Sequence, residues 1–174
     1  MSVLNYSVQA YEEAKEVEGH FHTHERWCGI LTTQSTVLWA RFADGKIDTP
    51  FVATSGNNVY GAAIQCLGTG DTPVISGKTK FDVHRISVSA VSDTGTTFVR
   101  LTYGTGTQSA ALTAGQYSEV AVFATSTGAN RNSSPADVKM PRLVSGSHKV
   151  WAQALNTVNG ATISFYLGVH EYDD

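Results

Sequence analysis

Three of the 6 histidines stand at alternating positions in Gly19-His20-Phe21-His22-Thr23-His24-Glu25, the densest chemistry in the chain. Residues two apart on an extended strand point the same way, so His20, His22 and His24 can offer imidazoles to one metal ion. The plainer reading is a polar strand face whose imidazoles pair with carboxylates such as Glu25 or with a neighbouring chain. His84, His148 and His170 are remote candidates for a further ligand, each in a segment whose strand pattern already accounts for it. Asp82-Val83-His84 sets an acid and an imidazole on one strand face, which is half of a triad. Glu119 and Asp137 are carboxylates on strands and could meet as a glycosidase-type pair, against the plainer reading of solvated side chains. The chain has no Gly-X-Ser-X-Gly elbow, no Walker-type loop and no His-Glu-X-X-His helix. Gly104-Thr105-Gly106 is followed by no helical pattern and no third glycine at dinucleotide-fingerprint spacing. The expectation is a protein that is not an enzyme and carries no cofactor, with a metal ion at His20, His22 and His24 as the one exception.

The elements that position these residues are read from periodicity. Ile163, Phe165, Leu167 and Val169 alternate with Thr162, Ser164 and Tyr166, which is the period of a half-buried strand. Upstream, Val150, Ala152 and Ala154 face away from Trp151, Gln153 and Leu155, and Asn159-Gly160 between the two segments predicts a closing antiparallel hairpin. Strands are also expected over 37–42, 62–67, 80–91, 97–103, 116–124 and 136–143, the last pushed toward a sheet edge by Pro141. Within 80–91 the apolar set slips from Phe81 and Val83 to Ile86, Val88 and Ala90, which predicts a β-bulge near His84-Arg85. Asp93-Thr94-Gly95 predicts a second hairpin, and Gly104–Gly115 a small-residue connection. Short, regularly spaced strands without crossover helices predict an all-β fold, an antiparallel β-sandwich of jelly-roll type with about eight strands. That domain spans 27–174. Residues 1–26 read as an N-terminal arm, a short helix over 7–18 followed by the His-rich strap. Its apolar side, Val8, Tyr11 and Ala14, needs a neighbour, either a partner subunit or the end of its own domain.

The 174 residues suit one domain with an appended arm, and a 41% apolar and 16% charged composition is globular. A net charge of −3 with no basic stripe speaks against a nucleic-acid partner. No apolar run reaches the length of a membrane span, and the first residues lack a secretory signal, so a soluble protein made in a cytosol is expected. Cys28 and Cys66 read as two buried free thiols, with one bridge as the alternative. Tyr60, Tyr103, Tyr117, Tyr166 and Tyr172 suit a sugar-stacking platform, or equally sandwich rims and subunit contacts.

Residue blocks running through most of the chain carry a resemblance. They are His20-Phe-His22 with Glu25-Arg-Trp-Cys-Gly29, Pro50-Phe-Val-Ala-Thr-Ser-Gly-Asn-Asn58, Asp71-Thr-Pro73, Lys80-Phe-Asp-Val-His-Arg-Ile86 and Tyr103-Gly-Thr-Gly-Thr107. They continue with Ala114-Gly-Gln-Tyr-Ser-Glu119, Met140-Pro-Arg142, Lys149-Val-Trp-Ala152 and Ala161-Thr-Ile-Ser-Phe-Tyr-Leu-Gly-Val-His-Glu-Tyr172. In this wording and order the chain resembles a family of small structural proteins of tailed bacteriophages. The resemblance implies a virion component, a jelly-roll protein on the head surface, forming homotrimers or other small oligomers that cement or decorate the major capsid protein shell. A tail or fibre receptor-binding protein that takes carbohydrate is the alternative. A cupin-like metal-binding enzyme is the second, although Glu25 follows His22 too closely for the cupin motif and no second motif appears downstream.

Overall fold

A computed structural model describes residues 26–30, 39–41, 49–68, 78–129 and 135–172. Its long strands are β3 (Phe51–Asn57), β5 (Lys80–Val91), β6 (Gly95–Gly104), β7 (Tyr117–Ala124), β11 (Lys149–Asn156) and β12 (Thr162–Tyr172). Shorter ones are β1 (Arg26–Ile30), β2 (Trp39–Arg41), β4 (Ile64–Leu67), β8 (Gly128–Ala129), β9 (Ala136–Asp137) and β10 (Leu143–Val144), and the helix α1 (Gln108–Thr113) lies between β6 and β7. The chain is mostly β, as its periodicity predicts. The arm and its apolar side, Val8, Tyr11 and Ala14, lie outside the described residues; Arg26, at the predicted boundary, begins β1 opposite Val169.

The strands form one curled sheet whose two halves meet at β3. In the first half β12 pairs with β5 on one side and with β1 and the start of β3 on the other, while β8, β9 and β10 follow along the far side of β5. In the second half β11 pairs with β6, and β6 with β7. The inward residues of both halves supply a single core: Phe51, Val83, Ile86 and Phe165 from the first, Val99, Leu101, Val120 and Ala152 from the second. Phe51 and Phe165 face each other in the ladder with ring centroids 5.8 Å apart.

Five expectations are corrected. The sheet is mixed: β3 and β11 run parallel over Ser55–Asn57. The closing segments β11 and β12 are not a hairpin, because β3 lies between them. The turn at Asp93–Gly95 likewise joins strands that do not pair, β5 in one half and β6 in the other. Both sites do turn, on Gly95 at φ 92° and Gly160 at φ 77°. Each is a corner between halves of the sheet, and local turn chemistry does not distinguish a corner from a hairpin. The fourth correction is α1, where a plain connection was expected. Thr107 caps it by accepting from the Ala110 N–H at 3.2 Å, and alanines sustain it without any apolar period to betray it. Finally, the strand expected over 136–143 is broken into β9 and β10, separated by a stretch that contains Pro141 and so lacks one ladder donor.

Gly61 fixes the return from β3. Its N–H donates to the Ala154 carbonyl at 2.9 Å, and a Cβ on it would stand 1.9 Å from the Thr54 carbonyl oxygen. We expect Gly61→Ala to cost about 2–3 kcal/mol by overpacking a backbone that has no room to give. Phe165→Ala, a cavity in the core, should cost about 3–5 kcal/mol. Urea unfolding followed by circular dichroism measures both, and a Gly61→Ala midpoint equal to wild type would refute the close approach.

Candidate functional site

The bulge expected near His84-Arg85 is present. Along the β5–β12 ladder Gly168 faces Arg85 and Val169 faces Val83, so His84 is the extra residue. A second slip passes over Ser89 and brings Val91, in place of the expected Ala90, into the core. The bulge lies opposite the gap between β9 and β10: β9 pairs with Arg85–Ile86, β10 with Lys80–Phe81, and between them the Val138 N–H donates to the His84 carbonyl at 2.7 Å.

On the outer face of this region three side chains converge. His170 lies opposite Asp82 in register, and its Nδ1 is 3.9 Å from Asp82 Oδ1. The His84 ring stacks on the His170 ring with centroids 4.5 Å apart and planes at 26°. One donor atom from each of Asp82, His84 and His170 falls within 4.8 Å of the others. Tyr172 donates its hydroxyl to Asp82 Oδ2 at 2.8 Å, and the Arg142 guanidinium sits 4.0 Å over the Tyr172 ring. Asp82 Oδ1 is buried and accepts no hydrogen bond. A carboxylate facing two imidazoles is a set suited to holding a proton or a cation.

The outer face of the second half is different in kind. Arg100 of β6 lies between two tyrosines, 3.6 Å over Tyr60 and 4.9 Å over Tyr117, and its Nη2 is 2.7 Å from Glu119 Oε1. Tyr60 donates to the same oxygen at 2.8 Å. Alongside this network the same face carries Phe98, 40% exposed, and Phe123, 76% exposed, with Ala121 and Leu155 opposite Phe98 on its two neighbouring strands. β7, which carries Phe123, has a ladder partner on one side only among the described residues.

Of the residues singled out by sequence, His20, His22 and His24 lie outside the described residues. Asp82 and His84 lie near each other, and His170, which no local pattern links to them, joins them. His148 is engaged locally, its Nδ1 accepting from the Val144 N–H at 3.2 Å. Glu119 and Asp137 do not act as a pair: each is bound to a different arginine, Arg100 and Arg85. Among the tyrosines, Tyr60, Tyr117 and Tyr172 each have a ring face covered by a guanidinium, and Tyr103 packs against the core. Cys28 and Cys66 are buried free thiols, and burial pushes the Cys66 thiol pKa up. No helix among the described residues is long and apolar enough to cross a membrane. Comparison with protein-family models, with curated proteins and with solved structures finds no match.

Burial, then hydrogen bonding to Glu119, pushes the Tyr60 phenol up to about 12, and burial with Asp82 does the same for Tyr172. Because the fold favours the neutral phenols, their contribution is intact below the ordinary value near 10 and is lost as pH rises toward about 12. Absorbance titration should therefore find Tyr60 and Tyr172 ionising late, with melting temperature falling across that window. The double substitution Tyr60→Phe and Tyr172→Phe should flatten the fall, and an unchanged slope would contradict the assignment.

Proposed function

We propose that this chain is a structural protein of a tailed-bacteriophage virion, a head-decoration protein that cements the shell by gripping other copies of itself and the major capsid protein. The observation that carries this reading is the exposed aromatic pair Phe98 and Phe123, on one outer face beside a polar Arg100–Glu119–Tyr60 network. An apolar, aromatic centre with a polar surround is how protein interfaces are composed, and exposed aromatics of this size carry binding energy once buried. The resemblance of the residue blocks to phage structural proteins supports the same reading. So does the scaffold: a curled sheet with one continuous core is rigid enough to hold a contact surface in place.

In this reading the two halves act as a jelly-roll-type sandwich, with the parallel β3–β11 pair as its departure from the all-antiparallel form. The protein is made in the host cytoplasm and resides on the head surface as a homotrimer. The half-paired β7 lies at the contact, where a neighbouring strand or arm can add to it.

Phe123→Asp tests this without touching the core. Its side chain is already in solvent, so the folded monomer should melt within about 0.5 kcal/mol of wild type. Self-association measured by sedimentation should weaken at least about tenfold, since burying a charge in an apolar contact is costly. Occupancy of purified heads, counted from copy number per particle, should fall with it. Wild-type protein that is monomeric and absent from heads would overturn the proposal.

A further inference from the structure

We infer that Asp82, His84 and His170 form a binding site for a divalent transition-metal ion of the zinc class, with water completing its coordination. Two imidazoles and a carboxylate are the donor set such ions take, at about 2.0–2.2 Å from each ligand atom. Ligand atoms on a sphere of that radius lie about 3.3 Å apart. The three donors already fall within 4.8 Å of one another, and the Asp82–His170 pair is at 3.9 Å. Closing on an ion therefore requires each side chain to move by roughly an ångström or less, well within rotamer adjustment.

Three further features favour a cation at this place. Asp82 Oδ1 is buried yet accepts no hydrogen bond, an expensive state for an anionic oxygen that an ion between Asp82 and His170 would relieve. Asp82 Oδ2 is held by the Tyr172 hydroxyl at 2.8 Å, the kind of outer contact that aims a ligating carboxylate. His84, on the same face of β5 as Asp82, is the extra residue of a bulge, a distortion that recurs next to functional sites. The ion would tie the bulge of β5 to the end of β12, a cross-strand staple on the outer face.

The test uses the full chain and separates this cluster from the histidines of the arm. Cobalt(II) and zinc(II) are titrated into four chelator-treated proteins: wild type, the triple variant with His20, His22 and His24 each changed to Ala, and that triple variant carrying either His84→Ala or Asp82→Asn. The triple variant should keep about one equivalent of zinc, develop the visible absorption of protein-bound cobalt(II) and gain melting temperature with zinc. Adding His84→Ala or Asp82→Asn should weaken zinc binding at least tenfold and abolish the cobalt(II) signal. Circular dichroism of the metal-free proteins checks folding, and Asp82→Asn, being isosteric, remains informative if His84→Ala does not fold. Loss of binding in the triple variant itself, or unchanged affinity when Asp82 is replaced, would overturn the site.

Discussion

Ser55 is the residue on which the two halves of the sheet depend. Its N–H donates to the Ala161 carbonyl at 2.8 Å, its carbonyl accepts from the Gly160 N–H at 2.9 Å, and its hydroxyl donates to the Val158 carbonyl at 2.8 Å. Up to Thr54 the strand lies antiparallel to β12, and from Ser55 onward it lies parallel to β11. A strand that changes partner midway must satisfy its backbone groups at the change, because buried donors and acceptors left open cost about 1–3 kcal/mol each. Asn156 completes the junction with its amide, donating to Thr97 Oγ1 at 2.9 Å and accepting from the Val158 N–H at 2.9 Å. This short polar seam lets two apolar faces close over one core.

Away from the seam, the outer faces differ because the strands beneath them differ in regularity. β6 and β7 pair in continuous register from Gly95 to Thr102, and side chains above them stack in rows: Arg100 over its tyrosines, Phe98 and Phe123 alongside. β5 is interrupted twice, and at the first interruption its neighbour on the far side loses its ladder as well. There the side chains converge. A regular sheet makes a surface, and a broken one makes a cluster.

Most long strands were legible because alternation survives at single-residue resolution: Ile163, Phe165, Leu167 and Val169 are all fully buried, as their period requires, whereas β3, whose Ser55-Gly56-Asn57 half is rich in turn residues, was not among the strands expected. The bulge at His84 was legible for the same reason, as a one-residue slip in an otherwise clean pattern. What pairs with what was not legible. Asn159–Gly160 and Asp93–Gly95 carry ordinary hairpin chemistry, and only the presence of β3, contributed from roughly a hundred residues upstream, makes the first a corner. The candidate site shows the same division. Asp82 and His84 share a face by local spacing, whereas His170 joins them through a ladder that local pattern does not encode. Arg100 between its tyrosines left no mark in the sequence at all.

The position of β3 also bears on how the chain acquires its shape during synthesis. Its ladder partners are residues 154–156 and 162–165, so for most of translation β3 has emerged with neither neighbour yet made. Pairings of such long separation form late and slowly, since loop-closure entropy must be met before any contact repays it. The β6–β7 pair can assemble early from nearby residues, while an apolar β3 waits and must be kept from wrong partners. The C-terminal strands thus act as a keystone: until they arrive, the ribosome carries a strand with nowhere to go.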